Sequence, residues 1–365
     1  MKSIAFLSSL LILLLFTSCK EEIIVVSDQK ETAVIYGVLD PSESIQYIKI
    51  TKAINGTANA LEEAKNESAN YFDNVEATVF EVFNGKKTNV SWVLKDTVIS
   101  DRAEGLYYGP KQKVYFFRTD SKKPLRAESS VFYHLEVKLN NKYTVTAVTD
   151  IVSEVSLKTP NNNYQFAKEN VSVNGYDQTS LNVFSGNASV INTHMDILIQ
   201  ETKSDNSSKI KTLPWKISET SVPPKKNINI SINGEDFYKK IKNDLINEQD
   251  VTQRKLVGID LTVSFGSSTL EKYILLNKPS SSLAQTKPSF TNITTKDDIR
   301  VDGIFTSRNK KYFLKRFQPG TNLTDQKLVI DNFSSKELCI GTHTYNLKFC
   351  TGDLYYLEKE FYCPN

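Results

Sequence analysis

Apolar and polar residues alternate in short runs along most of this chain, the period-two pattern of strands with one buried face. Residues 32–39 form the first run, β-branched and closed by Asp40-Pro41, and residues 45–50 alternate again. Residues 75–83 end at Asn84-Gly85, the strongest short hairpin signal, and residues 92–98 continue the pairing. Further strands are expected at 114–118, 131–137 and 143–148, with Asn140-Asn141-Lys142 as the turn between the last two. The Asn-, Ala- and Glu-rich stretch 55–71 reads as a surface excursion, with a short helix over 58–64.

Beyond a junction at 149–163, the pattern is weaker near Val171 and firm at 188–191, 195–200 and 228–232, with Pro214-Trp215 and Pro223-Pro224 as breaks. One segment changes period. Asn233 can cap a helix, Glu235 and Asp236 suit its positive N-terminal turn, and Phe237, Ile241 and Leu245 recur every four residues. The spacing therefore predicts a helix near 234–247. Strands are then expected at 256–265 and 272–276, followed by a Pro/Ser/Thr-rich loop over 277–295. The tail reads as β throughout, at 304–317, 327–330, 338–340, 345–349 and 355–362. The expected fold is mainly β: two sandwich-like domains of immunoglobulin or transthyretin-like type, over 32–150 and 151–365, the second carrying the one short helix.

The chain's start departs from alternation. Lys2 precedes an almost wholly apolar run over 5–16, too short to span a bilayer of ~30 Å as a helix. Residues 1–18 read as a signal peptide and are set aside from the fold. Thr17 and Ser18 before Cys19 resemble a bacterial lipobox, with Phe16 where Leu is usual, so Cys19 is the expected lipidation site. Each buried methylene of a lipid contributes ~0.8 kcal/mol, so several acyl chains anchor stably where one does not. Lys20, Glu21 and Glu22 resemble the surface-export signal of Bacteroidota lipoproteins, and residues 19–31 form a tether.

Composition fits this picture. Among 365 residues, 17 Tyr and 19 Phe against 14 Gly and 2 Met suit sheets better than helix bundles. A net charge of +3 without a basic stripe implies no nucleic-acid partner. Beyond Cys19 the cysteines are Cys339, Cys350 and Cys363. Three thiols cannot all pair within one chain; Cys339–Cys350 and Cys350–Cys363 are both open. Their spacing does not suit zinc, so neither a metal nor a cofactor is implied.

Segments 33–40, 47–53 and 133–137 resemble the N-terminal part of a Bacteroidota lipoprotein family of unknown function, the DUF4249-like proteins. Pro288-Ser289-Phe290-Thr291-Asn292-Ile293, with Gly303-Ile304-Phe305, is similar to that family's C-terminal segment. Here 297–302, Asp-Asp-Ile-Arg-Val-Asp, stands where a Gly-rich stretch is expected, and the cysteine-bearing tail has no counterpart. The resemblance implies an outer-membrane lipoprotein associated with TonB-dependent receptors, and brings no catalytic residues.

Candidate chemistry is sparse. His134, His194 and His343 each fall in an alternating run, far apart in sequence, and hydrolase, zincin and P-loop signatures are absent. Asp297, Asp298 and Asp302 do not have EF-hand spacing. The expected role is non-catalytic: an accessory subunit docked on an outer-membrane β-barrel, a TonB-dependent transporter or an envelope assembly machine, using sheet edges and the loops 54–72 and 277–303. The alternative is capture of glycans or nutrients through exposed Trp92, Trp215 and tyrosines. A cryptic hydrolase would require a pocket with convergent carboxylates or a His–acid pair.

Overall fold

The structure, a computed structural model, describes residues 30–53, 70–100, 111–158, 163–277, 290–318, 328–351 and 363. It is mainly β, with several sheets. The strands are β1 (Thr32–Leu39), β2 (Ile45–Lys52), β3 (Val75–Phe83), β4 (Lys86–Val93), β5 (Lys95–Ile99), β6 (Gln112–Arg118), β7 (Val131–Leu139), β8 (Tyr143–Asp150), β9 (Ser156–Lys158), β10 (Gln178–Phe184), β11 (Val190–Lys203), β12 (Ser208–Ser221), β13 (Asn227–Asn233), β14 (Val251–Gly266), β15 (Ile293–Thr295) and β16 (Arg300–Arg316). The helices are α1 (Val171–Asn174), α2 (Gly234–Asp244), α3 (Ser268–Asn277) and α4 (Asn332–Ile340).

Eight strands form one sheet in the order β12-β11-β14-β16-β1-β2-β6-β5; five more form β15-β8-β7-β3-β4, and three form β13-β10-β9. Alternation dictates which face is covered. Ile35, Leu39, Ile48, Ile50 and Phe117 from the eight-stranded sheet join Val79, Tyr133, Leu135, Val137 and Val145 from the five-stranded sheet in one buried cluster. The second cluster sets Met195, Ile197, Leu261 and Val263 against β10, β13, α2 and α4. Ile151 belongs to the first cluster and Val152 to the second.

Residues 293–305 return to the first cluster, which takes in Ile293, Ile299 and Phe305. This return depends on β16, whose first half pairs in parallel with β1 (Ile35 opposite Gly303) and whose second half pairs antiparallel with β14. At Gly303, φ is +103° and a Cβ would meet the Ile35 carbonyl oxygen at 2.0 Å, so only glycine allows this approach. The Asn84-Gly85 turn has positive φ at both residues, as a two-residue hairpin of this hand requires.

Several elements differ from the sequence reading. The run 92–98 is two strands. The chain leaves the five-stranded sheet after Val93 and joins the eight-stranded sheet at Lys95, with buried Leu94 between them. The runs 188–191 and 195–200 belong to a single stretch ending in the 14-residue strand β11. Pro214 does not break β12: that strand is a sheet edge, which tolerates a missing N–H donor. Helix α2 stands where the periodicity puts it, with Asn233 Oδ1 accepting from the N–H of Glu235 (2.8 Å) and Asp236 (3.4 Å).

It is not the only helix. The expected strand at 272–276 is α3, whose Leu270 N–H donates to Ser267 Oγ (3.3 Å). The expected strand at 338–340 is the end of α4, capped by Asp331 at the Ser334 N–H (2.9 Å). Near Val171 stands a single helical turn, and 345–349 forms turns ending in a bridge from Phe349 to Arg254. The expected helix at 58–64 and strand at 355–362 lie outside the described residues.

Candidate functional site

Cys19, Lys20, Glu21 and Glu22 lie outside the described residues, as do residues 54–69 and 278–289 of the two loops. Cys350 is bonded to Cys363, and Cys339 is a free, buried thiol that burial pushes up to about 12. The three histidines stay apart. His134 on β7 stacks on Phe80, and burial disfavours its protonation. His194 on β11 lies 2.9 Å from Asp196 Oδ1, and His343 sits in the turn after α4, not in a strand.

The acidic run is likewise dispersed. Asp297 accepts from the Thr144 N–H, Asp298 pairs with Lys30 at 2.6 Å, and Asp302 accepts from the Gly303 N–H at 2.6 Å. No group of three metal-ligating side chains forms among the described residues. Trp92 is only 6% exposed, and Trp215 is half-buried against the second cluster. Neither is an exposed aromatic of the kind expected for capture.

What the fold does assemble is a groove of ~890 Å³, within the size range of small-molecule sites. Its walls are α1, the first turn of α2, and α4 with the turn after it. Asn233 caps α2 and so fixes Glu235 at the groove; Gly341 ends α4 and turns the chain so that His343 comes back over it. His343 Nε2 lies 3.5 Å from Glu235 Oε1, and the Tyr176 hydroxyl donates to Glu337 Oε1 at 3.0 Å. The Tyr176 and His343 rings are 6.0 Å apart.

The two carboxyl groups are biased in opposite directions. Glu337 is held above the usual carboxylate range because burial penalises its charge. Glu235 is held below it by a hydrogen bond from Lys239, 2.9 Å away. Both carboxyl groups offer oxygen acceptors to the hydroxyl or amino groups of a ligand in this groove. The exposed apolar surfaces of Phe333 and Ile340 flank them. No sequence motif marks this groove, because its residues come from three distant segments.

A second feature is the face of the eight-stranded sheet that carries Tyr36 and Tyr47, covered in part by α3. Tyr36 on β1 and Tyr47 on β2 are 37% and 48% exposed. Tyr47 packs on Phe116 of β6 at 6.2 Å, and Tyr36 meets Tyr273 of α3 at 6.1 Å, edge to face. The rings are tilted or edge-on rather than coplanar. No helix among the described residues is long and apolar enough to cross a membrane. Comparison with known proteins returns no match, either to a protein-family model or to a curated protein.

Proposed function

We propose that the protein is an outer-membrane lipoprotein, anchored through Cys19 and directed to the cell surface by Lys20, Glu21 and Glu22. It acts there as a non-catalytic accessory subunit docked on an outer-membrane β-barrel complex, a TonB-dependent transporter or an envelope assembly machine. The observation that carries this reading is the exposed aromatic face on β1 and β2. These are the first strands after the tether. Thirteen tether residues reach at most about 45 Å, so β1 would begin within that distance of the anchor. An exposed, aromatic, partly apolar surface is the kind that partners cover.

Membership of the DUF4249-like lipoproteins, and a pair of immunoglobulin- or transthyretin-like sandwiches divided near 150, belong to the same proposal. Supporting the latter are the two buried clusters and the change of cluster between Ile151 and Val152. The second reading is ligand capture, favoured by the groove between Glu235, Glu337 and His343. Cys19→Ala tests the anchor: the variant should leave the membrane fraction, and protease added to intact cells should digest the wild-type body. A Cys19→Ala chain that stays membrane-bound, or a body fully protected on intact cells, contradicts the proposal.

A further inference from the structure

A different groove lies where the chain passes from one sheet to the other between β4 and β5. It has a volume of ~360 Å³ and is lined by Ser91, Trp92, Lys95, Phe116, Arg118 and Lys123, among others. Three features distinguish it from an ordinary charged surface. First, no acidic residue is among its lining residues. The nearest carboxylates in sequence are engaged elsewhere: Asp96 pairs with Lys113 at 3.5 Å, and Asp120 accepts the N–H groups of Lys122 and Lys123 at 2.8 Å each.

Second, the cations are held in place by the fold. Lys123 Nζ lies 5.0 Å from the centre of the Trp92 ring and donates to the Ser91 carbonyl. The Arg118 guanidinium stacks over Phe116 at 5.9 Å, a contact that leaves its N–H edge free to donate. Lys95, exposed on β5, stands opposite Phe116 in the sheet register. Third, the Trp92 indole is 94% buried by the figure above, yet its Nε1–H has no acceptor among the described residues. Buried donors without partners are few in folded proteins, and each calls for an explanation. Indole nitrogen only donates, as do guanidinium and ammonium groups, so every polar side chain in this groove except Ser91 asks for the same thing.

We infer that this groove binds an oxyanion, a phosphate or sulfate monoester group, which takes hydrogen bonds from Trp92 and Arg118 and charge compensation from Lys95 and Lys123. The inference does not rest on the docking reading: neither Tyr36 nor Tyr47 lines the groove, although Phe116, on which Tyr47 packs, borders both. The same chemistry is offered by free phosphate and by a phosphorylated lipid headgroup.

The test uses the full chain in neutral detergent, labelled with ¹⁵N-tryptophan. Its two tryptophans give two indole signals, and Trp215 serves as an internal control. Inorganic phosphate is titrated at constant ionic strength, and in a parallel arm phosphatidate-containing nanodiscs are compared with phosphatidylcholine ones. The Trp92 signal should move saturably while Trp215 stays still, and the arm with the lower midpoint names the source. The Lys95→Glu/Arg118→Glu chain should bind at least about tenfold more weakly, with the Trp215 signal unmoved as proof of folding. Lys95→Gln alone should give a smaller loss, so the test survives if the double variant fails to fold. A Trp92 signal indifferent to both probes, equal shifts at both tryptophans, or wild-type binding by the folded variants would overturn the inference.

Discussion

The two buried clusters solve the same problem differently. In the first, sheet faces sheet, and simple alternation supplies nearly everything. A buried carboxylate there, Glu81, receives two hydrogen bonds from Arg126 (2.9 and 2.7 Å) and one from Thr88 (3.0 Å). Arg126 reaches in from the surface, its side chain 35% exposed. In the second, helices and irregular chain cover much of a long sheet, and polar groups must follow them inside. Arg254 is wholly buried and donates to Glu201 (2.9 Å) and to the carbonyls of Leu347 and Ile246 (2.8 Å each). Ser334 Oγ accepts from the N–H groups of Phe166 and Ala167. Where strands give way to loops, backbone groups lose their ladder partners and side chains must replace them. The helix-walled groove belongs to that second region.

The comparison makes its largest prediction at the two arginines. Arg254→Met should destabilise by about 3–5 kcal/mol, because it strands a buried carboxylate and two carbonyls. Arg126→Met should cost less, about 1–2 kcal/mol, since Arg126 is itself partly exposed and Thr88 and Tyr133 still donate to Glu81. Denaturant unfolding of both variants measures the difference, and equal costs would break the contrast. Next is the staple. Cys350→Ser/Cys363→Ser removes a cross-link between residues 13 apart, worth about 3 kcal/mol in the chain-entropy model. The loss should appear as a lower unfolding midpoint, reproduced in the wild type by reductant.

Acid titration sharpens the comparison further. Glu81 is held below its ordinary range, chiefly by the Arg126 hydrogen bonds. Its contribution is present above the unfolded value and is lost as pH falls through the folded one, so Glu81→Gln should flatten the acid limb of the stability curve. Glu337 is shifted the other way by burial. It costs stability as pH rises past the ordinary carboxylate range, so Glu337→Gln should stabilise at neutral pH and leave stability at pH 4 unchanged. Thermal midpoints across the pH range check both signs. The smallest effect concerns Cys339. Burial keeps its thiol protonated, so iodoacetamide should label it only in denaturant, with native stability unaltered.

The first region was largely legible in the sequence. Strands with one wet face announce themselves by alternation, and Asn84-Gly85 and Asn140-Asn141 mark the turns between them. The Trp92–Val98 run misled because alternation reports which residues face inward, not which sheet they face from. Helix α2 was readable because its cap and its four-residue spacing coincide on one short stretch. The other helices lacked such a stripe; α3 has no fully buried residue, and in α4 two of the four buried residues are serines. The groove was not legible at all. Tyr176, Glu235, Glu337 and His343 acquire meaning only when α2, α4 and the segment around α1 are packed together. The oxyanion groove has the same origin, in a chain that changes sheets at Leu94.

The docking claim is tested most directly by recovering the tagged protein from membranes in mild detergent, beside a chain carrying Tyr36→Glu and Tyr47→Glu. The wild type should bring with it one outer-membrane β-barrel protein in stoichiometric amount, and the folded variant should lose it. A wild-type protein recovered alone, or a barrel retained equally by the variant, would contradict the account and turn attention to ligands of the Glu235–Glu337–His343 groove.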